Sequence, residues 1–214
     1  TNNAPVEFPI GTTLVTWTVT DPSGNKAYAI QTVKVVDQIA PTIIAPADIQ
    51  VTAYSNCTAT GIVLGTPTVT DNCSVATVTN DAPAVYPLGV TTITWTVTDT
   101  SGNKTSTTQK VTVKDNILPT ITLPANVIVN ANSSCVAYNV NLGTPSVADN
   151  CSIISVTNDA LSVYTLGTTT VTWKVVDGSG NTVTATQLVT VVDTTKPTIA
   201  APRSITVSSS ESCG

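Results

Sequence analysis

The sequence predicts an all-β protein made of tandem antiparallel β-sandwiches, and two observations carry that prediction. Of 214 residues, 43 are Thr, 31 are Val and 15 are Ile, and β-branched side chains favour pleated sheets over helices. Motif residues also recur at a fixed spacing, because Trp17, Trp95 and Trp173 lie 78 residues apart. A unit of that length is long enough to enclose its own core, so we expect a series of domains with one fold.

The strands of each unit are predicted from alternating side chains between turn residues. Ile93, Trp95 and Val97 fall on one face of segment 91–98, with threonines on the other, which is typical of a half-buried strand. A turn at 99–103, rich in Gly and Asn, joins this strand to the next as a hairpin. Shorter apolar segments bring the total to about seven strands, the pattern of an immunoglobulin-like sandwich; they lie at 49–51, 62–64, 75–78 and 85–86.

Domain boundaries are placed at a repeated Asp-x-x-x-Pro motif, which occurs at 37–41, 115–119 and 193–197. This register predicts two complete repeats, residues 38–115 and 116–193. Residues 1–37 are then the C-terminal half of an earlier repeat, and residues 194–214 are the start of a further one. We therefore expect the chain to start and stop inside domains.

Composition argues against several functional classes. The net charge is −5 with a pI near 4.3 and no basic cluster, so nucleic acid is not an expected partner. No stretch reaches the roughly 20 apolar residues that span a bilayer, and no membrane insertion is expected. His is absent, which removes the commonest general base, and the aspartates recur in every repeat. The protein is therefore predicted not to be an enzyme, with no catalytic residues and no required cofactor.

Several motifs in register resemble those of the hyalin-repeat (HYR) domain family. They are Asp-x-x-x-Pro, Asp-Asn-Cys-Ser at 71–74 and 149–152, Leu-Gly-x-Thr-Thr-x-Thr-Trp, and the closing Asp-x-Ser-Gly-Asn hairpin. The resemblance implies an immunoglobulin-like extracellular module associated with cell adhesion, in tandem arrays like those of Bacteroidetes-type bacterial surface adhesins. One departure is Asn3, which stands where the two complete repeats carry Asp81 and Asp159.

The cysteines recur with the repeat: Cys57 and Cys73 are 16 residues apart, and so are Cys135 and Cys151. This spacing, with a strand trace that brings both sulfurs to one pole of the sandwich, predicts the disulfides Cys57–Cys73 and Cys135–Cys151. Cys213 is then left with a partner beyond the chain. The fixed spacing argues against reduced cytosolic thiols, so an oxidising, extracellular location is expected.

Ten of the eleven aspartates sit at positions that recur with the repeat. One interpretation is that each carboxylate caps a turn. The other is that calcium binds where neighbouring repeats meet, because this ion takes hard oxygen ligands from several loops. The strand trace puts Asp81 and the 99–103 hairpin at the N-terminal pole near Asp37, and Asp71 at the opposite pole. The candidate calcium ligands are Asp37, Asp71, Asp81, Asp99, Asp115, Asp149, Asp159, Asp177 and Asp193.

The function predicted from these features is mechanical: a stalk segment of an extracellular filament or cell-surface adhesin, acting as a spacer. The competing interpretation is a glycan- or protein-binding module, since loops at sandwich ends commonly carry recognition. Trp95 and Trp173 are expected in the core rather than on a sugar-binding surface, and each repeat presents the same Thr, Ser and Asn exterior, which favours the spacer. The expected partners are neighbouring repeats of one long chain, with lateral self-association and surface ligands as the further candidates.

Overall fold

A computed structural model describes residues 1–208 of the chain. The chain divides into two compact units, Thr1–Ile117 and Leu118–Gly214, and the second is described as far as residue 208. Apart from a short 3₁₀ turn at Ser55–Cys57, the regular structure of these residues is all strand, which confirms the predicted all-β class. Residues 194–208 carry no strand, and Cys213 lies outside the described residues.

The first unit has ten strands. Their bounds are β1 Gly11–Thr20, β2 Lys26–Val35, β3 Thr42–Ile44, β4 Ile49–Thr52, β5 Thr58–Thr60, β6 Thr68–Thr70, β7 Val75–Asn80, β8 Val85–Pro87, β9 Gly89–Asp99 and β10 Lys104–Lys114. Strands β1 and β2 form a two-stranded hairpin, whereas β4-β10-β9-β7 form a four-stranded sheet. The pairs β3–β6 and β5–β8 make the second layer, because β3 and β8 pack against β9 and β10.

The second unit repeats the sandwich with eight strands. Their bounds are β11 Thr120–Thr122, β12 Val127–Asn130, β13 Val136–Tyr138, β14 Ser146–Ala148, β15 Ile153–Asn158, β16 Val163–Thr165, β17 Gly167–Asp177 and β18 Thr182–Val192. The four-stranded sheet has the order β12-β18-β17-β15, and β11–β14 and β13–β16 are the two-stranded pairs. Apart from the β1–β2 hairpin of the first unit, both units therefore have the same arrangement of strands.

One pairing differs from the antiparallel sandwich that the sequence predicts. Strand β4 runs parallel to β10, with Thr52 opposite Lys114, and β12 runs parallel to β18. The other pairings within both four-stranded sheets are antiparallel. We call the end of repeat 38–115 where β10 finishes the C-terminal pole, and the end next to Asp37 the N-terminal pole. The parallel strand β4 therefore runs toward the C-terminal pole.

Strand β9 shows the alternation that the sequence predicts. Ile93, Trp95 and Val97 are buried, and the threonines between them are only partly buried. Trp95 and its counterpart Trp173 are 6 % and 5 % exposed, which confirms their place in the core. Trp17 is 47 % exposed, because the β1–β2 hairpin has no facing sheet in the described part of residues 1–37.

A glutamine that the sequence argument overlooked links the two layers of each sandwich. Gln109 is fully buried and accepts a hydrogen bond from Trp95 Nε1 at 3.1 Å. Its amide nitrogen donates to the carbonyls of Ala47 at 2.7 Å and Leu64 at 3.0 Å. Residues 62–64, predicted as a strand, join no ladder, and the Leu64 carbonyl is satisfied by this side chain instead.

The second sandwich contains the same buried network. Gln187 accepts from Trp173 Nε1 at 3.1 Å and donates to the carbonyls of Ala125 at 2.8 Å and Leu142 at 3.0 Å. In the first hairpin, Gln31 accepts from Trp17 at 2.9 Å, but both side chains are exposed. The recurrence of Gln31, Gln109 and Gln187 with the tryptophans was the signal that could have revealed this network.

The structure contradicts the predicted disulfides Cys57–Cys73 and Cys135–Cys151. Cys73 and Cys135 are free thiols, whereas Cys57 and Cys151 are each disulfide-bonded. Cys57 follows β4 at the C-terminal pole, where the Ala53 amide donates to the Lys114 carbonyl at 2.7 Å.

Cys73 lies at the other end of the same repeat. It precedes Ser74, whose carbonyl accepts the Thr100 amide at 3.1 Å beside the end of β9. The predicted pairing failed because the chain between the two cysteines crosses the whole length of the sandwich.

Candidate functional site

The candidate functional site is a cluster of three carboxylates at the N-terminal pole of repeat 38–115. Asp37, Asp71 and Asp99 each place one oxygen within 4.8 Å of the others. They come from three separate segments: the stretch before β3, the loop between β6 and β7, and the β9–β10 hairpin. We call this set the acidic cluster. Carboxylates this close repel one another unless a cation or hydrogen-bond donors compensate.

Asp99 is fixed by its own hairpin. Its Oδ1 accepts the amides of Ser101 and Asn103, both at 2.8 Å, and its Oδ2 accepts Asn103 Nδ2 at 2.7 Å. Burial acts to raise the pKa of Asp99, but the hydrogen bonds from Asn103, Ser101 and Gly102 outweigh it, so the pKa lies below the usual value. The carboxylate is therefore charged at neutral pH and caps the turn.

The same turn occurs in the other two hairpins. Asp177 accepts the amides of Ser179 and Asn181 at 2.8 Å, and hydrogen bonds again outweigh burial and lower its pKa. In the exposed first hairpin, bonds from the side chain and backbone of Asn25 lower the pKa of Asp21. The turn-capping interpretation therefore describes all three of these aspartates.

Asp37 and Asp71 each have one carboxylate oxygen that accepts hydrogen bonds and one that lies inside the cluster. Asp37 Oδ1 accepts the Ile39 amide at 3.0 Å and Asn72 Nδ2 at 3.3 Å, and Asp71 Oδ2 accepts the Cys73 amide at 3.0 Å. Asp37 Oδ2 and Asp71 Oδ1 are buried and accept no hydrogen bond. Buried oxygens without donors are costly, and a cation would satisfy both.

Asn103 ties the hairpin to the incoming chain. Besides its bond to Asp99, its Nδ2 donates to the Asp37 carbonyl at 3.2 Å and to the Ile39 carbonyl at 3.4 Å. One side chain therefore connects the β9–β10 turn to the backbone of residues 37–39. Asn103 was predicted only as a residue of the 99–103 turn, and its bonds to the backbone of residues 37–39 were not predicted.

The Cys73 thiol borders the acidic cluster. Burial of the sulfur, followed by a side-chain hydrogen bond to Asp37 and the negative charges of Asp37, Asp71 and Asp99, raises the pKa of Cys73. Asn72 Nδ2 also lies 3.1 Å from its sulfur. A raised pKa keeps the free thiol protonated at neutral pH and slows its reaction as a nucleophile.

Two placements expected from the strand trace are wrong. Asp71 was expected at the opposite pole from Asp37, but its side chain lies in the acidic cluster. Asp81 was expected at the N-terminal pole, but it follows β7 partway along the sheet, where its Oδ1 accepts the amide of Thr94, a residue inside β9, at 2.6 Å.

The position of Asp81 serves the backbone in every copy. Asp159 accepts the Thr172 amide at 2.6 Å, and Asn3 accepts the Thr16 amide at 2.7 Å. Because asparagine makes the same bond as aspartate, this position needs an oxygen acceptor rather than a charge. The departure at Asn3 therefore removes no contact to the strand.

The remaining candidate aspartates form local turns. Asp115 Oδ1 accepts the Ile117 amide at 3.1 Å, Asp149 Oδ2 accepts the Cys151 amide at 2.8 Å, and Asp193 Oδ1 accepts the Thr195 amide at 2.8 Å. Each bond spans two residues, as in an Asx turn. Within the first unit, the acidic cluster therefore brings together three of the predicted ligands: Asp37, Asp71 and Asp99.

Some aromatic side chains are exposed outside the repeat pattern. Tyr54 and Tyr138 are 66 % and 55 % exposed, and they occupy different positions in their repeats. Tyr54 lines an open groove of about 310 Å³ together with Ile49 and Val63. These side chains are the surface that a binding role would use.

No helix among residues 1–208 is long and apolar enough to cross a membrane.

Known proteins are similar to this chain in sequence. Residues 36–113 match the family model of the HYR domain. The chain is 34 % identical over 213 residues to hyalin of Lytechinus variegatus, a match covering 90 % of this chain and 39 % of that protein. It is 35 % identical over 207 residues to hyalin of Strongylocentrotus purpuratus, covering 90 % of this chain and 17 % of that protein. The chain thus spans less than half the length of these relatives.

Solved structures of cadherin domains show a distant likeness. Extracellular domains 3–6 of protocadherin Gamma B2 match with a TM-score of 0.37 and 14 % identity, over 86 % of this chain and 61 % of that one. The protocadherin GammaB4 extracellular domain matches with a TM-score of 0.36 and 13 % identity, over 85 % of this chain and 38 % of that one. Scores this low carry no functional argument.

The β-sandwiches and these matches define a module of the HYR type. Residues 36–113 belong to the HYR domain family, which confirms the resemblance seen in the sequence motifs. The bacterial adhesin context stays a prediction.

Proposed function

We propose that the chain is a stalk segment of an extracellular filament or cell-surface adhesin, in which tandem HYR domains act as mechanical spacers. The observation that carries the proposal is the tether formed by Asn103, whose Nδ2 binds the carbonyls of Asp37 and Ile39. A linker whose backbone is bonded to the domain swings less than a free one, and a spacer needs such restraint. The partners in this role are neighbouring repeats of one long chain.

Releasing the tether tests this function. In Asn103→Ala the 214-residue chain should become more flexible in small-angle scattering, and unfolding should cost about 1–2 kcal/mol less because the hydrogen bonds are lost. Asn25→Ala is the matched control, since Asn25 makes the same hairpin bond to Asp21 at 2.8 Å. Equal scattering curves for the two variants would contradict the stalk proposal.

The competing function is a glycan- or protein-binding module. Its candidate contacts are the exposed Tyr54 and Tyr138. A cell-adhesion assay on a protein that contains this chain distinguishes the two functions. Loss of adhesion on replacing the tyrosines, with none in Asn103→Ala, would favour the binding module and contradict the spacer.

We also propose that the acidic cluster binds calcium, which would stiffen the linker further. The two buried oxygens without donors, Asp37 Oδ2 and Asp71 Oδ1, support this. Asp99 is a third ligand, although its carboxylate already accepts three hydrogen bonds. Calcium takes six to eight oxygens at typical sites, so water would complete the coordination.

Calorimetric titration with Ca²⁺ tests the cluster. We expect measurable heat and a melting temperature that rises with Ca²⁺ concentration, because a ligand that binds only the folded state stabilises it. Asp71→Asn should lose much of both effects. Asp48→Asn is the control: Asp48 accepts the Lys110 amide at 2.8 Å, and Asn126 makes the equivalent bond to Leu188. Absence of heat and of any thermal shift in the unaltered chain would exclude the calcium site.

A further inference from the structure

The turn after β12 in the second unit presents an asparagine side chain with a fixed orientation. Asn132 Oδ1 accepts the amides of Ser134 at 2.8 Å and Val136 at 3.3 Å, and the Asn132 amide donates to the Val136 carbonyl at 2.9 Å. Because Oδ1 faces the backbone of the turn, Nδ2 points away from it. Asn132 is exposed, and its Nδ2 donates to no protein group among residues 1–208.

This turn also carries the acceptor sequence for an N-linked glycan. Asn132, Ser133 and Ser134 match the pattern Asn-x-Ser/Thr, in which x is not Pro. Ser134 is exposed, and its hydroxyl has no hydrogen-bond partner in the described part of the chain. A sugar on Asn132 Nδ2 would therefore break no hydrogen bond of the folded unit.

The other matches to the pattern fit the fold less well. They are Asn56, Asn72, Asn103 and Asn150. Asn103 Nδ2 already donates to Asp99 and to the backbone of residues 37–39, and Asn72 Nδ2 donates to Asp37 at 3.3 Å. A glycan at either position would displace these bonds. Asn56 and Asn150 each precede a disulfide-bonded cysteine, which restrains the acceptor segment once the disulfide has formed.

Asn132 stands at the wall of a groove that suits a sugar ring. The groove has a volume of about 370 Å³ and is open to solvent, and its lining includes Asn132, Tyr138, Asn130 and Asn141. Tyr138 is 55 % exposed. An aromatic ring offers a flat apolar face on which the C–H groups of a sugar can pack, and asparagine amides can bond its hydroxyl and acetamido groups. The groove therefore matches the first sugar of a glycan attached at its own edge.

The acceptor and the aromatic side chain occur together in one repeat. The positions of Asn132 and Tyr138 correspond, 78 residues earlier, to Tyr54 and Thr60. The first complete repeat thus has neither the asparagine nor the tyrosine at these two positions. Both differences lie on the same groove, which is expected if they serve one attached group.

We propose that Asn132 is an N-glycosylation site and that the first N-acetylhexosamine of the glycan packs in the groove against Tyr138. The donor class is an oligosaccharide linked to a lipid diphosphate. Nδ2 attacks C1 of the sugar, so a C–N bond forms, the bond from C1 to the diphosphate oxygen breaks, the amide loses one proton and the lipid diphosphate leaves. The proposal rests on the extracellular location, because this acceptor pattern is used in secreted proteins, and it does not depend on the stalk role.

Peptide mapping tests the attachment. The full chain, secreted from cultured animal cells, is treated with peptide N-glycosidase in heavy-oxygen water, which converts each glycosylated Asn into a labelled Asp. After reduction, trypsin releases peptide 115–174, and fragment sequencing separates Asn132 from Asn150. We expect the label at Asn132 in most molecules. Ser134→Ala should remove it and Ser133→Ala should retain it, because only position 134 belongs to the acceptor pattern. An unlabelled Asn132 in the secreted chain would overturn the proposal.

Thermal unfolding tests the contact with the groove. An endoglycosidase trims the glycan of the secreted chain to its first sugar, and this form is compared with Ser134→Ala, which keeps Asn132 but carries no sugar there. We expect the trimmed form to melt a few degrees higher, because the packed sugar is present only in the folded state. The difference should vanish in a Tyr138→Ala background and persist in a Tyr54→Ala background. No difference, or one that Tyr138→Ala leaves unchanged, would overturn the placement in the groove.

Discussion

Trp95→Ala should lower the free energy of unfolding of repeat 38–115 by about 3–5 kcal/mol, as expected for removal of a buried Trp. The side chain is 6 % exposed and lies between Ile93 and Val97 on the buried face of β9. Its indole nitrogen also bonds the buried Gln109. Scanning calorimetry of the 214-residue chain should show part of the unfolding transition lowered by more than about 10 °C.

Trp17→Ala provides the matched control. Trp17 holds the equivalent place in the β1–β2 hairpin and bonds Gln31, but it is 47 % exposed. Its removal should cost about 1–2 kcal/mol, less than removal of Trp95, because only about half of the side chain is buried. Equal thermal shifts in the two variants would mean that Trp95 is not in a packed core.

The core residues were predictable because the alternation of apolar and polar side chains along a strand shows which of them are buried. The buried Ile93, Trp95 and Val97 follow from residue type and period alone. Gln109 shares this buried surface and recurs with the tryptophans, yet polar residues are usually assigned outward. Only its partners, two carbonyls and an indole, explain its burial, and those partners come from distant segments.

The pole at which each residue lies was harder to predict, because residue type does not show the direction of a strand. The parallel pairing of β4 with β10 carries the chain to the C-terminal pole before Cys57. Strand β6, antiparallel to β3, then brings Asp71 back beside Asp37. A trace in which all successive strands alternate in direction places this part of the repeat at the wrong poles. One such inversion accounts for both the wrong cysteine pairing and the wrong placement of Asp71.

The sequence therefore predicted that aspartates would form a cluster, but it did not show which aspartates would belong to it. The hairpin motif predicted the turn around Asp99, because Gly and Asn at fixed positions indicate a turn from local sequence alone. Asp81 recurs as regularly as Asp99, but it serves one strand amide. Recurrence alone does not separate a residue that caps the backbone from one that faces a shared site.

The buried glutamine gives the second large effect. Gln109→Met keeps the approximate volume but leaves the carbonyls of Ala47 and Leu64 and the indole N–H of Trp95 without their partner. Unsatisfied buried groups cost about 1–3 kcal/mol each, and partial rearrangement should hold the total loss of unfolding free energy to about 2–4 kcal/mol. Calorimetric unfolding of the full chain measures it.

Two further variants decide whether hydrogen bonding causes that loss. Gln31→Met should be nearly neutral, because Gln31 is exposed and water can replace it at Trp17. Gln109→Glu should be destabilised at neutral pH and recover in acid: burial raises the pKa of the introduced carboxyl in the folded state, so stability is greatest below its unfolded pKa and falls as pH rises. The protonated carboxyl can again donate to a carbonyl. Two results would show that packing alone determines the stability at this position. One is a Gln109→Met variant as stable as Gln31→Met, and the other is a Gln109→Glu variant whose stability relative to the unaltered chain does not change with pH.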